Sequence, residues 1–319
     1  MSRSTNRVSH SIERSLRLAM MICAVVLAVS ASAGCNKLDA RRLNTDGTRL
    51  HKDGKFAEAC EKFEASLRKQ DLAITHHNLG LAYQKRFMAG CDPVKDKDET
   101  GKLRCPDNST FADKAAEHFA IYLKSNPADK QIRDRMTKVW LDNDQFDKAV
   151  GYWQAQLDAA PNNPEIMGKL AGINFKARRW RETMAWYNKQ ADVTTGENAK
   201  AAAYQSIGNV AWAFLSNREK MVWDDRIECA DRGIGALERA AGLSPKKPEI
   251  RGLLAALYNF RAIAHGPTWA GAIDRATSQT HNDIRRVLAA EAKKAAGEVV
   301  PSSPGGGTQP GQAPPTSGG

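Results

Sequence analysis

The sequence predicts an all-α fold made of repeated helical hairpins. A small residue, an aromatic four positions later and a proline eight positions after that occur twice in succession: Ala115, Phe119, Pro127 and Ala149, Trp153, Pro161. The two prolines are 34 residues apart, a spacing typical of stacked helix-turn-helix repeats. Composition agrees, because 42% of the residues are hydrophobic but only 7% are aromatic, as in helices rich in Ala and Leu.

The first repeats place small residues where two helices must approach each other. In residues 40–72, Gly47 and Ala59 are small, and Phe63 is positioned to fill the groove between the helices. In the second repeat, Leu79-Gly80 occupies the corresponding part of the first helix. These spacings resemble the tetratricopeptide repeat. The resemblance implies a right-handed solenoid of about six helix-turn-helix repeats with a C-terminal capping helix.

The resemblance continues to about residue 265, through repeats at 130–163 and 164–196, a fifth containing Gly208 and Gly233, and a sixth opening at Pro248. Residues 268–297 are amphipathic and are expected to supply the second helix of repeat six and a terminal cap. The apolar side of this segment consists of Ile273, Ala276, Ile284, Val287, Leu288 and Ala290. The solenoid is thus expected over residues 40–297. A Pro- and Gly-rich tail at 298–319 is expected to be disordered.

The N-terminal segment is predicted to be an export signal. Four arginines precede a 16-residue apolar run, Leu18 to Ala33, which is shorter than the ~20 residues of a membrane-spanning helix. The following Gly34-Cys35 completes a sequence that resembles a bacterial lipobox. This implies removal of residues 1–34, acylation of Cys35 with fatty acids such as palmitate, a short linker at 35–39 and, from Asn36, an outer-membrane location facing the periplasm.

The sequence leaves two alternatives to the lipoprotein open. In the first, the ordinary signal peptidase cleaves after Ala31-Ser32-Ala33 and releases a soluble secreted chain. In the second, the N-terminal segment stays uncleaved and serves as an anchor. Residues 1–34 hold four Arg and one Glu, so their removal changes the formal charge from +11 to +8. A basic chain favours anionic partners. Export makes nucleic acid a poor partner, and anionic headgroups next to Lys37 a better one.

Two insertions interrupt the repeat spacing, at about 86–110 and 216–228. Cys91 and Cys105 bracket the first and are expected to form a disulfide in an oxidising compartment. The loop they close is expected to be solvated, with calcium binding as an alternative through Asp96, Asp98, Thr100 and Asp107, whose spacing resembles an EF-hand loop. The second insertion is expected to lengthen both helices of repeat five. Trp223 within it would be either a packing residue or an exposed docking residue.

No catalytic motif is present in the sequence, so an enzyme is not expected, and neither a cofactor nor a small-molecule substrate is implied. The adjacent His76 and His77 point in different directions on a helix and are not expected to share a metal. The resemblance instead implies a partner-binding groove lined by first helices. The residues carried over to it are His77, Asp134, Lys138, Phe175, Gln205, Asn209, Trp212 and Asn259.

The second half of this groove is the more suggestive part. Gly168, Gly172 and Gly252 are expected to leave room, while Trp212 and the neighbouring amides can hold an extended peptide. The competing interpretation places Phe175 and Trp212 partly in the core. The sequence therefore favours a lipid-anchored scaffold that positions proteins of the cell envelope, resembling pilotins and other assembly or motility lipoproteins. The alternative is a cell-wall adaptor that binds peptidoglycan or its hydrolases.

Overall fold

The computed structural model describes residues 36–92, 94–217 and 221–295, and the predicted all-α fold is confirmed over them. The signal, the lipidation residue Cys35 and the C-terminal tail lie outside these ranges. Within the ranges the only strand-like pairing is an isolated bridge between Lys97 and Leu103. The described residues form twelve helices, which are α1 (36–52), α2 (Phe56–Lys69), α3 (Ala73–Arg86), α4 (Asn108–Ser125), α5 (Lys130–Asp142), α6 (Phe146–Ala159), α7 (Pro164–Lys176), α8 (Trp180–Val193), α9 (Glu197–Ser216), α10 (Trp223–Leu243), α11 (Pro248–His265) and α12 (Trp269–Ala295).

The chain divides into two compact units, residues 1–149 and 150–319. In the first unit, α2 packs on α3, α3 on α4 and α4 on α5. In the second, each helix from α7 to α11 packs on the next one, and α9 also touches α11. None of the helices in the described residues combines the length and the apolar character that crossing a bilayer requires.

Close approach of paired helices in the first unit depends on glycine. A Cβ on Gly47 would lie 2.7 Å from the Phe63 ring, and one on Gly80 would lie 2.7 Å from the Phe119 ring. Both rings are almost completely buried. Each ring therefore occupies the space that a side chain on the facing helix would need. The small-to-large pairing predicted for repeat one is confirmed.

Glycine also allows close approach of α9 and α10 in the second unit. A Cβ on Gly208 would lie 2.5 Å from Leu237, and one on Gly233 would lie 2.5 Å from Ala211. Leu237 and Ala211 are fully buried members of the hydrophobic core of this unit. The second insertion lengthens α9 to 20 residues and α10 to 21 residues, as predicted. Because the insertion lengthens both helices, the contacts of Gly208 and Gly233 are retained and only the turn between α9 and α10 is displaced.

The turns within three hairpins share one unusual backbone conformation. Gly54, Asp144 and Arg178 have φ values of 76°, 54° and 62°, each two residues before the aromatic that opens the next helix. Asp144 and Arg178 are 34 residues apart. The left-handed conformation costs roughly 1–2 kcal/mol for a residue with a Cβ. Its recurrence at the repeat spacing shows that hairpin geometry outweighs this cost.

Helix α12 packs in a way that the amphipathic pattern did not anticipate. Amphipathicity alone would place the apolar side on the core, but Ile273 and Val287 are 62% and 58% exposed, and Ile284 and Leu288 are only half-buried. The buried residues of α12 are Gly271, Asp274 and Ser278. The second helix of repeat six and the predicted terminal cap are thus a single helix, α12, of 27 residues. It packs on α11 through its polar side.

Polar contacts explain why that side of α12 is buried. Arg261 of α11 donates from Nε and Nη2 to the two carboxylate oxygens of Asp274, at 3.0 and 2.7 Å, and from Nη1 to Asp231 at 2.6 Å. Both carboxylates raise the pKa of the Arg261 guanidinium further. The Ser278 hydroxyl donates to the Ala255 carbonyl at 2.8 Å. These bonds satisfy polar groups that would otherwise be costly to bury.

We predict that Gly208→Ala destabilises the chain by about 1–3 kcal/mol, because the added methyl group overpacks against Leu237. Gly235→Ala in α10 is the matched control. Nothing lies within 4 Å of its Cβ position, so it should stabilise by about 0.5–1 kcal/mol through helix propensity. Urea unfolding measures the change in the free energy of unfolding for both variants. Equal effects of the two substitutions would contradict the packing explanation.

Removal of the buried carboxylate in Asp274→Ala should cost about 3–5 kcal/mol, since it leaves the Arg261 guanidinium without its main partner. Asp231→Ala removes a carboxylate whose side chain is 51% exposed and should cost less than about 1 kcal/mol. Chemical unfolding followed by circular dichroism gives both values. The polar packing of α12 is not important for stability if the two variants unfold alike.

Candidate functional site

The first insertion forms a closed loop between α3 and α4. The predicted disulfide is confirmed, with 6.5 Å between the Cα atoms of Cys91 and Cys105. The buried Asn108 at the start of α4 accepts from the Met88 amide at 2.7 Å and donates to the Met88 and Cys91 carbonyls at 2.8 and 3.1 Å. A covalent bond and a buried amide therefore hold the two ends of the loop together.

The calcium candidates use their carboxylates within this loop. Asp98 Oδ1 accepts from the backbone of Thr100 and Lys102 at 2.9 and 3.0 Å, and Asp96 Oδ2 accepts from the Asp92 amide at 2.9 Å. The hydrogen bond from the Thr100 hydroxyl and the backbone bonds from Lys102 and Thr100 lower the pKa of Asp98. Among the described residues, no three His, Cys, Asp or Glu side chains are grouped to hold a metal ion. Calcium binding, with Asp107 as a further ligand, remains a prediction from sequence.

The second unit brings four of the proposed groove residues onto two adjoining helices. Gln205, Asn209 and Trp212 follow one another on a single side of α9, and Trp212 is 47% exposed. Helix α11, which contacts α9, presents its own free side. We call these residues the α9–α11 face: Ala202, Gln205, Asn209, Trp212, Ala256, Asn259 and Ile263.

The α9–α11 face carries amides and apolar groups but no charged side chain. Asn209 and Asn259 are exposed, and Gln205 is half-buried. Ile263, which the sequence reasoning missed, is 39% exposed and lies one helical turn beyond Asn259. The i to i+4 spacing on α11 was the signal that could have identified it. Such a surface can pair with peptide amides and also cover apolar side chains.

Of the three glycines that were expected to leave room in the groove, only Gly172 does so. A Cβ on Gly168 would lie 3.1 Å from the Gln190 amide nitrogen, and one on Gly252 would lie 3.0 Å from Arg285 of α12. Long side chains from second helices therefore fill both gaps, and the expected room is absent there. Gly172 has no atom within 4 Å of its Cβ position and does leave open space.

Phe175 and Trp212 occupy different environments. The Phe175 ring meets the Phe214 ring edge-to-face, with 5.6 Å between centroids, and packs against the hydrophobic core of the second unit. Trp212 projects into solvent with nearly half of its surface. Phe175 therefore belongs partly to the core, as the competing interpretation has it, whereas Trp212 is not among the residues of that core cluster.

The first unit holds the remaining three groove candidates on α3 and α5. His77 is half-buried, lies 5.0 Å from the Tyr122 ring and bonds to Asn78 through Nδ1 at 3.0 Å. Lys138 is exposed and paired with Asp142 one turn along its own helix. Asp134 is half-buried on α5. The role of these three residues in binding remains a prediction.

A buried polar cluster between α3 and α4 was not predicted from sequence. His76 Nδ1 and His118 Nδ1 are 2.9 Å apart, and His76 Nε2 is 2.8 Å from Asp71 Oδ1. The Tyr83 ring stacks on His118 with 6.0 Å between centroids, and its hydroxyl donates to Glu64. Burial and the neighbouring His76 lower the pKa of His118 to about 4. His118 lies 42 positions from His76, so no short motif could reveal the pair.

The whole chain was compared with families, curated proteins and solved structures. No family model matches the chain, and no curated protein matches its sequence significantly. Among solved structures, the chain is similar to the MamA protein, at 16% identity over 61% of this chain and 91% of MamA, with a TM-score of 0.38. A TPR repeats protein from Bacteroides fragilis is 17% identical over 70% of this chain and 99% of its own, with a TM-score of 0.40.

A tetratricopeptide repeat protein from Parabacteroides merdae is similar at 13% identity, over 79% of this chain and 97% of its own, with a TM-score of 0.34. Likenesses of this size carry no functional argument. The architecture is evident from the chain itself, in its paired helices, its glycine contacts and its turns 34 residues apart.

Acid should weaken the fold through His118. Its folded pKa lies below the value of about 6.5 for an unfolded chain, so the unfolded state binds the proton first as the pH falls from 6.5 towards 4. Stability present above pH 6.5 is therefore lost across this interval, by roughly 2 kcal/mol. Urea unfolding at pH 7.5 and 4.5 should show a smaller loss for His118→Gln. If His118→Gln loses as much stability between pH 7.5 and 4.5 as the unaltered chain, His118 is excluded as the cause.

Proposed function

We propose that this protein is a lipid-anchored scaffold of the bacterial envelope, which binds an extended segment of a partner protein on the α9–α11 face. The exposed Trp212 beside Asn209 is the observation that carries the proposal. Tryptophan is enriched among the few residues that supply most of the binding free energy of an interface. The helices that present this face are held in place by the buried contacts of Gly208 and Gly233.

The chemistry of the α9–α11 face supports a peptide rather than a charged ligand. Gln205, Asn209 and Asn259 provide amides, which can both donate to and accept from the backbone of an extended chain. Trp212 and Ile263 provide apolar contacts for its side chains. Because no residue of the face is charged, the preferred segment is expected to be uncharged with at least one large apolar side chain.

The envelope location is proposed on the sequence of the N-terminus. The lipobox-like ending places the acylated Cys35 only five residues before Ala40, so an anchored chain begins its first helices close to the membrane surface. We propose the outer membrane, facing the periplasm, and partners that belong to envelope assembly, such as secretin, outer-membrane or motility machinery. Cys91 and Cys105 suit this location, since disulfides persist in oxidising compartments.

The double variant Asn209→Ala with Trp212→Ala tests the α9–α11 face. Loss of a Trp anchor typically weakens binding by about 2 kcal/mol, or about 30-fold, whereas helicity and the melting temperature should hold because both residues are exposed. Trp223→Ala is the matched control, since it removes another tryptophan that is 58% exposed at the start of α10. Binding that survives the double variant and is lost with Trp223→Ala would refute the proposal.

The partner can be identified by crosslinking in native membranes, followed by mass spectrometry of the full chain, the double variant and Cys35→Ser. A discrete envelope protein captured by the full chain and lost with the double variant supports the proposal. Loss with Cys35→Ser shows that the anchor brings the two proteins together. Recovery of peptidoglycan fragments with all three chains would favour the cell-wall adaptor, which the positive charge of the chain suits.

A further inference from the structure

We infer that two copies of this protein associate through α12, with their α12 helices antiparallel and the symmetry axis at Thr280. The inference begins from the apolar side of α12. Trp269, Ile273 and Val287 are 87%, 62% and 58% exposed, and Ala276 and Thr280 are exposed between them. We call the following residues the α12 stripe: Trp269, Ile273, Ala276, Thr280, Ile284 and Val287.

The α12 stripe is narrow, straight and on the opposite side from the packed residues. Its six members are separated by 4, 3, 4, 4 and 3 positions, an average close to the ~3.6 residues of one helical turn. At about 100° per residue, they fall within about 80° of the helix circumference. The buried Gly271, Asp274 and Ser278 lie nearly opposite. The stripe therefore runs parallel to the helix axis over five turns, and five of its six members are exposed, while Ile284 is half-buried.

The order of side-chain sizes in the stripe is self-complementary. When two copies run antiparallel about Thr280, position 276 faces position 284 and position 273 faces position 287. The small Ala276 then meets the large Ile284 of the second copy, and Ile273 meets Val287. Thr280 meets itself at the axis, where a small side chain lets the helices approach to the usual 8–10 Å or so. A two-fold pair of this kind is closed and cannot grow into a fibre.

A charge at the end of the stripe favours the antiparallel arrangement over the parallel one. Glu291 lies one turn beyond Val287, on the same side of α12 as the stripe. In the antiparallel pair it lies beside Trp269 of the second copy, which is uncharged. In a parallel pair in register, Glu291 would face its own copy, and two like charges at short distance repel each other. Glu291 thus favours the antiparallel orientation.

The size of the contact predicts a reversible dimer. The antiparallel overlap runs from Trp269 to Glu291, about 33 Å at 1.5 Å per residue. A strip roughly 12 Å wide on a helix of this diameter gives about 400 Å² per copy and about 800 Å² for the pair. Stable complexes bury about 1,200–2,000 Å². The dimer should therefore dissociate on dilution rather than persist as a permanent assembly.

Disulfide crosslinking of the full chain tests the symmetry axis directly. In Thr280→Cys, two identical thiols would face each other at a separation that a disulfide can bridge, so mild oxidation should give a crosslinked dimer on a non-reducing gel. Gln279→Cys is the matched control, because Gln279 is also exposed but points about 100° away from the axis. We expect at least a tenfold higher crosslinked fraction for Thr280→Cys. Adding Ile273→Asp should abolish the difference while circular dichroism stays unchanged.

Sedimentation of the full chain in mild detergent, from about 1 to about 100 µM, the range for weak interfaces, should show dimer growing with concentration. Equal crosslinking at positions 279 and 280, or monomer throughout, would overturn the inference. If a monomeric Cys35→Ser chain, which has no lipid anchor, instead floats with anionic vesicles and adding Ile273→Asp prevents flotation, a lipid surface covers the stripe and the dimer is excluded. Both experiments are independent of partner capture on the α9–α11 face.

Discussion

The structure depends on the close approach of paired helices at positions where one helix has no side chain. Gly47 accepts the Phe63 ring, Gly80 the Phe119 ring and Gly208 the Leu237 side chain. Each contact sets the distance between the two helices of one hairpin and orients the second helix on the first. The repeat length follows from this, because helices of similar length joined by short turns return to an equivalent contact after each hairpin.

This packing determines which surfaces remain available for binding. In the second unit, the facing sides of α9 and α10 supply much of the core, so the uncovered side of α9 and the corresponding side of α11 remain free. Trp212 and Asn209 lie there on a backbone that the buried contacts keep rigid. Rigid presentation reduces the ordering cost of binding. A partner segment would thus gain contacts without having to organise the surface first.

The last helix shows that burial is decided by contacts and not by polarity alone. Asp274 is 3% exposed, although it is acidic, because Arg261 provides two hydrogen bonds to it. Ile273, its neighbour in the chain, is left in solvent. Burying a satisfied ion pair while exposing an apolar stripe is unfavourable for an isolated chain. The arrangement becomes consistent when a second copy covers the stripe.

The sequence alone determined the features that depend on local pattern. The 34-residue spacing, the glycine contacts of the first hairpin, the lengthening of α9 and α10 and the Cys91–Cys105 bond were all predictable, because each rests on spacing along the chain. Only the tertiary structure decided which long side chains fill the spaces beside Gly168 and Gly252, which side of α12 is buried, and that His76 meets His118. These depend on neighbours distant in sequence, since helical periodicity defines the faces of a helix but not the element that covers each face.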